Sequence, residues 1–109
     1  MITTTDAGFE TDVLASRVPV LVEFTAPWCR PCKALEPFLE ALEREHADRL
    51  RVVQLDIDTN VAVPARYGVL SLPTVIVFAG GEPVETIHGA QAHRRYAEAV
   101  TRVLDEAAA

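Results

Sequence analysis

Apolar residues fall along this chain with two distinct periods. Val20-Leu21-Val22-Glu23-Phe24 is almost continuously apolar and largely β-branched. That pattern predicts a strand buried on both faces, with Glu23 as its one interruption. Thr74-Val75-Ile76-Val77-Phe78 predicts a second strand of the same kind, and Val52–Ile57 another. Val84-Glu85-Thr86-Ile87-His88 alternates, as a strand with one wet face does. Ile2–Thr5 is short and β-prone, the pattern of an edge.

Between these runs the period changes to that of a helix. Leu35, Phe38, Leu39 and Leu42 make one apolar stripe, with Glu36, Glu40, Glu43 and Arg44 off it. They predict a helix from about Cys29 to about His46, which Pro37 should kink. An earlier helix, capped by Asp6, would carry Phe9, Val13 and Leu14 on one side before Pro19 ends it. A short helix follows Asn60 and ends near Gly68. The last follows Gly89 and turns Tyr96, Val100, Val103 and Leu104 inward, with Ala107–Ala109 as a fraying tail. Gly80-Gly81-Glu82 is a turn that makes the last two strands antiparallel. The order β-α-β-α-β-α-β-β-α predicts an α/β fold, a central five-stranded mixed sheet flanked by four helices, as one domain over residues 1–109.

Charge and composition narrow the function. The net charge of -6 disfavours nucleic acid as a partner, because binding phosphates needs a basic footprint. No apolar run approaches the roughly 20 residues of a membrane span. Met1-Ile2-Thr3-Thr4-Thr5-Asp6 lacks a basic stretch followed by an apolar one, so the expectation is no signal peptide and a cytoplasmic location. There, disulfides are usually transient and catalytic.

That context gives weight to Trp28-Cys29-Arg30-Pro31-Cys32-Lys33, which holds both cysteines where a strand gives way to a helix. A helix N-terminus favours a thiolate over a thiol, and the thiolate is the form that attacks disulfides. A structural disulfide or half a metal site would use the same pair. A metal site needs more soft ligands, and His46, His88 and His93 have no spacing that supplies them.

Taken together, the Val20–Phe24 strand with its carboxylate, the Trp-Cys-x-Pro-Cys-Lys stretch at 28–33, Pro37, Pro73 before Thr74, and Gly89 make the whole chain resemble the thioredoxin family. The resemblance implies a thiol–disulfide oxidoreductase that reduces protein disulfides. It implies no cofactor beyond the dithiol, and recharging by an NADPH-dependent thioredoxin reductase. Four positions depart from the usual pattern: Arg30 replaces a glycine, Glu23 an aspartate, Gln54 a lysine and Thr25 a tryptophan.

Roles follow on the matching positions. Cys29, first in the motif and nearest the helix start, is the expected attacker, and Cys32 the resolving thiol. Glu23 is expected to exchange a proton with Cys32, with Gln54 offering it a hydrogen bond; otherwise the longer side chain bends out to solvent. Arg30 should lower the Cys29 pKa further and make the protein more oxidising, unless solvent screens it. Pro31 holds the helix start in shape, and Trp28 is a platform beside the cysteines. By resemblance the Leu72–Pro73 bond is cis and faces the cysteine pair, leaving backbone groups of Leu72 for an extended client. Gly89 either leaves room for that client or serves a turn. Asp56 and Asp58 read as solubility at a strand end. Lys33, the only lysine, makes the site locally positive on an acidic chain. The partners expected are oxidised proteins and the reductase, with the chain itself a monomer. The rival readings are a disulfide oxidase or isomerase, and an adaptor that grips a partner with the same face.

Overall fold

The structure, a computed structural model, describes residues 1–108. Five strands, β1 (Ile2–Thr3), β2 (Val20–Thr25), β3 (Arg51–Asp56), β4 (Thr74–Ala79) and β5 (Glu82–His88), form one sheet in the order β1-β3-β2-β4-β5. β1, β3 and β2 run parallel, while β4 is antiparallel to both β2 and β5. The sheet is therefore mixed, as expected. β2 lies at its centre with all six residues buried, which is why its sequence is nearly all apolar.

Alternate residues of β2 feed two separate cores. Leu21 points to the side covered by helices α1 (Arg30–Glu45) and α3 (His93–Ala108), where Leu35, Leu39, Leu42, Tyr96, Val100 and Leu104 pack over it. Val20, Val22 and Phe24 point to the other side, onto Phe9, Val13 and Val63. Phe78 meets Phe9 and Tyr67 there edge-on, at 5.5 and 5.1 Å between ring centres. α1 continues past Pro37, which is exposed, so its missing N–H faces no buried partner.

Several local expectations are corrected. The first helix is only one π-helical turn, Glu10–Leu14, closed by the Ala15 N–H on the Glu10 carbonyl at 2.8 Å. Asp6 does not cap it. The Asp6 carboxylate instead accepts from the N–H groups of Ala62 and Val63, at 3.0 and 2.9 Å, and so caps the short helix α2 (Ala62–Arg66). Those amide donors, Val63 first, hold the Asp6 pKa below its usual value. β5 begins two residues earlier than its alternation suggests, because a bulge near Phe78 brings Pro83 and Glu82 into register at the sheet edge. β1 stops at Thr3, although the Thr4 N–H still bonds the Gln54 carbonyl. Ala107 and Ala108 belong to α3 rather than to a frayed tail, and Ala109 lies outside the described residues. Among the described residues no helix is long and apolar enough to cross a membrane.

Candidate active site

β2 delivers the chain to the site. After Thr25 it turns through Ala26–Trp28, and the Cys29 N–H closes that turn on the Ala26 carbonyl at 3.0 Å. Cys29 then sits in extended backbone as the N-cap of α1. Its Sγ accepts the Cys32 N–H at 3.3 Å, a donor that the first helical turn leaves without an intrahelical partner. Pro31 falls in that same turn, where a missing N–H costs no helical bond and its fixed φ suits the helix. Cys29 and Cys32 are joined in a disulfide, with Cα atoms 5.4 Å apart.

The two sulfurs are not equivalent. Cys32 is completely buried, and its Sγ lies 4.0 Å from the Phe24 carbonyl oxygen. Cys29 is 4% exposed and borders an open cleft of about 500 Å³ with Trp28, Arg30, Pro31, Ile57 and Leu72. Arg30 and Lys33 are both exposed, and neither enters an ion pair among the described residues. Arg30 thus brings one positive charge to the cleft, and Lys33 lies outside its lining.

Trp28 stands at the cleft edge, 65% exposed. Its indole N–H donates to both carboxylate oxygens of Asp58, at 3.0 and 3.3 Å. Asp58 is itself oriented by its backbone N–H on the Asp56 carboxylate at 2.8 Å. Asp56 and Asp58 therefore hold the tryptophan in place, which corrects their reading as mere surface charge. No local signal marks this: the partners lie 30 residues apart.

The opposite wall comes from the segment entering β4. The Leu72–Pro73 peptide bond is cis. Leu72 packs against the cysteine pair, and its own N–H and C=O enter no backbone hydrogen bond among the described residues. Pro73 borders a second cleft, of about 210 Å³, with Pro31, Gln91, His93 and Tyr96. Its carbonyl accepts the Gly89 N–H at 2.8 Å. Gly89 has φ of 73°, where a side chain is strained, and among the described residues nothing lies within 4 Å of where a Cβ would stand. It thus serves the turn, and the space beside it is also open. Tyr96 secures this corner by donating its hydroxyl to the Gly89 carbonyl at 3.2 Å.

Glu23 is the buried acid of β2. It lies on the same face of the sheet as Leu21, between Gln54 of β3 and Val75 of β4, and is 0% exposed. The alternative in which it bends out to solvent is excluded. The expected bond from Gln54 is also not made: its amide nitrogen turns to Thr3 Oγ1 at 3.4 Å, and neither Glu23 oxygen has a partner among the described residues. Burial, with Glu36 adding to it and Lys33 opposing, pushes the Glu23 carboxyl up to about 8. It therefore holds a proton at neutral pH in the disulfide state.

A redox pair at a helix start, one sulfur facing a cleft and the other sealed behind it, on this mixed sheet, defines a thiol–disulfide oxidoreductase. The thioredoxin family model matches residues 1–102, and the chain belongs to that family. It is 53% identical over 87 residues to a thioredoxin of Streptomyces clavuligerus, covering 80% of each chain. It is 51% identical to a thioredoxin of Mycobacterium tuberculosis H37Rv, covering 80% of this chain and 75% of that one. It is also 49% identical to part of a bifunctional thioredoxin reductase/thioredoxin of Mycobacterium leprae, over 80% of this chain and 19% of that protein.

Proposed function

We infer that this protein reduces disulfides of client proteins by a two-step exchange at Cys29 and Cys32. The observation that carries this reading is the asymmetry of the pair: Cys29 caps the helix at the cleft, and Cys32 is buried behind it. In the reduced protein the Cys29 thiolate, favoured by the Cys32 N–H and the helix start, attacks a client disulfide and displaces one client sulfur. Cys32 then gives its proton to Glu23 and attacks Cys29, which releases the second client thiolate. Running the reaction backward, protonated Glu23 supplies the proton that Cys32 takes up as the disulfide opens.

The same reading places the client strand over Trp28, Pro31, Leu72, Pro73 and Gly89, with free backbone groups of Leu72 pairing as an added edge. Arg30 shapes the potential and the charge of the rim. The protein uses no bound cofactor, acts in the cytoplasm as a monomer, and carries electrons from an NADPH-dependent thioredoxin reductase. The relative in which reductase and thioredoxin are one chain supports that partner. Insulin reduction tests the function, driven first by dithiothreitol and then by NADPH with a thioredoxin reductase. Both should support turnover, and Cys29→Ser should abolish it. Cys32→Ser should instead accumulate a mixed disulfide with the client, visible by mass spectrometry. Turnover that survives loss of both cysteines would overturn the reading.

A further inference from the structure

The cleft of about 500 Å³ beside Cys29 joins a single charge to an exposed apolar wall. Among the described residues that line it, Arg30 is the only charged one. Leu70, on the segment that enters β4, is 95% exposed. Trp28 and Leu72 border the same space.

Neither Arg30 nor Leu70 serves the fold. Arg30 is the first residue of α1, where the helix dipole favours an acid, and the first turn of α1 holds none. It is in no ion pair among the described residues. Leu70 leaves nearly its whole surface in water, so it adds nothing to either core. A lone exposed leucine is ordinary on a protein surface. This one shares a cleft with the sulfur that faces out and with an unanswered guanidinium.

We propose that the cleft selects clients by sequence. It takes oxidised segments that carry a carboxylate and a bulky aliphatic side chain beside the cysteine, the acid on Arg30 and the aliphatic group against Leu70. The inference rests on the reading that Cys29 attacks client disulfides from this cleft. A docked client covers Arg30 and removes its water. A neutral client leaves that charge without a partner, and a basic one adds repulsion. An aspartate or glutamate answers it with a charge-assisted hydrogen bond. Leu70 is covered in the same event, which favours an apolar neighbour. Asp58 does not answer Arg30 in the client's place: its carboxylate accepts the Trp28 N–H and lies outside the lining. The net charge of -6 opposes an acidic client at a distance. At about 0.15 M salt that field is screened beyond about 8 Å, and the contact with Arg30 decides.

Peptides of one parent sequence, each joined through its single cysteine to a chromogenic aromatic thiol, test the selection with the reduced protein. The Cys29 thiolate attacks the peptide sulfur and the aromatic thiolate leaves, so colour reports the rate. The residues flanking the cysteine are Asp, Asn or Lys in one series, and Leu or Ala in a second. Each rate is divided by that of the same peptide with dithiothreitol, which removes differences in intrinsic reactivity. The wild-type protein should prefer Asp over Lys about tenfold and Leu over Ala about fivefold. Arg30→Gln should erase the preference for Asp, and Arg30→Lys should keep most of it. Leu70→Ser should erase the preference for Leu alone. A change in reduction potential does not give this pattern, because it moves all the peptides together. Asp and Lys peptides reduced alike by the wild type, or a preference that Arg30→Gln leaves in place, would overturn the proposal. A preference for Leu that survives Leu70→Ser would overturn its apolar half. No reaction with any peptide that dithiothreitol reduces would instead overturn the exchange reading beneath it.

Discussion

Replacing Glu23 with glutamine should stabilise the oxidised protein, and by an amount set by pH. In the unfolded chain the carboxyl titrates near 4.5, while in the fold burial raises it to about 8. Below the lower value both states hold the proton, and the residue costs nothing through ionisation. Between the two values the unfolded state has released a proton that the folded state keeps, so stability falls as pH rises through this window. At about 1.4 kcal/mol for each pH unit, the deficit is about 3 kcal/mol at pH 7 and approaches about 5 kcal/mol above pH 8. Glutamine has nearly the shape of the protonated acid and would bury its amide in the same partnerless place. The two proteins should therefore unfold alike near pH 4.5, and the variant should gain steadily above it. Urea unfolding of both oxidised proteins across the window measures the difference, in which all other titrations cancel. A difference that stays constant with pH would refute the reasoning, because it would mean that Glu23 is not held neutral by burial.

Arg30→Gly should lower the reduction potential, since it removes a charge that stabilises the Cys29 thiolate. An exposed charge pair of about 0.2–1 kcal/mol corresponds to about 5–20 mV for this two-electron couple, measurable by equilibration with glutathione. An unchanged or higher potential would contradict it. Asp58→Ala should release Trp28 and raise the KM for oxidised insulin about fivefold at similar kcat, the effect of losing roughly 1 kcal/mol of hydrogen bonding. A shifted Trp28 fluorescence with unchanged KM would remove Trp28 from client binding. Asp6→Ala should cost about 1–2 kcal/mol in urea unfolding at neutral pH, because α2 loses its cap. The Asp6 pKa is lowered in the fold, so this contribution is present above about 3.8 and should fade as pH falls below it.

The elements most legible in the sequence are those whose periodicity reports burial. β2 reads as one apolar run because its alternate residues enter two cores, and the α1 stripe marks the face that lies on Leu21 and Val75. The two cysteines declare the chemistry, and their order along the helix start declares which one faces out. What the sequence hides is the choice of polar partners. Asp6 stands beside the first helix in sequence, yet the free N–H groups that it satisfies lie 56 and 57 residues away. Gln54 does sit beside Glu23 in register, but Thr3 on the next strand takes its amide. Trp28 finds Asp58 only because β3 ends beside β2 and returns the chain toward the site. Each is a contact between residues far apart in sequence, made by short polar side chains whose pattern has no period. The first helix is shorter than its apolar spacing suggests for a related reason. Its apolar residues fit the spacing, but the turn is tied by Thr5 and Asp12 into a compact loop rather than a helix of ordinary length.

The burial of Glu23 has a physical meaning beyond its proton. A domain of this size is typically stable by only about 5–15 kcal/mol, so a deficit of about 3 kcal/mol at pH 7 is a large share. No hydrogen bond offsets it, since neither carboxylate oxygen has a partner among the described residues. An apolar residue would fill the same place, flanked by Leu21 and Val75, at lower free energy. The acid lies one residue from Phe24, whose carbonyl contacts Cys32, and in the proposed reaction it takes and returns the proton of that buried sulfur. Stability and exchange rate should therefore move in opposite directions at this position. Glu23→Gln and Glu23→Leu should both unfold at higher urea than wild type at pH 7 and both resolve mixed disulfides more slowly. A variant that gained stability without losing rate would show that the buried carboxyl is tolerated by the fold rather than used by the reaction.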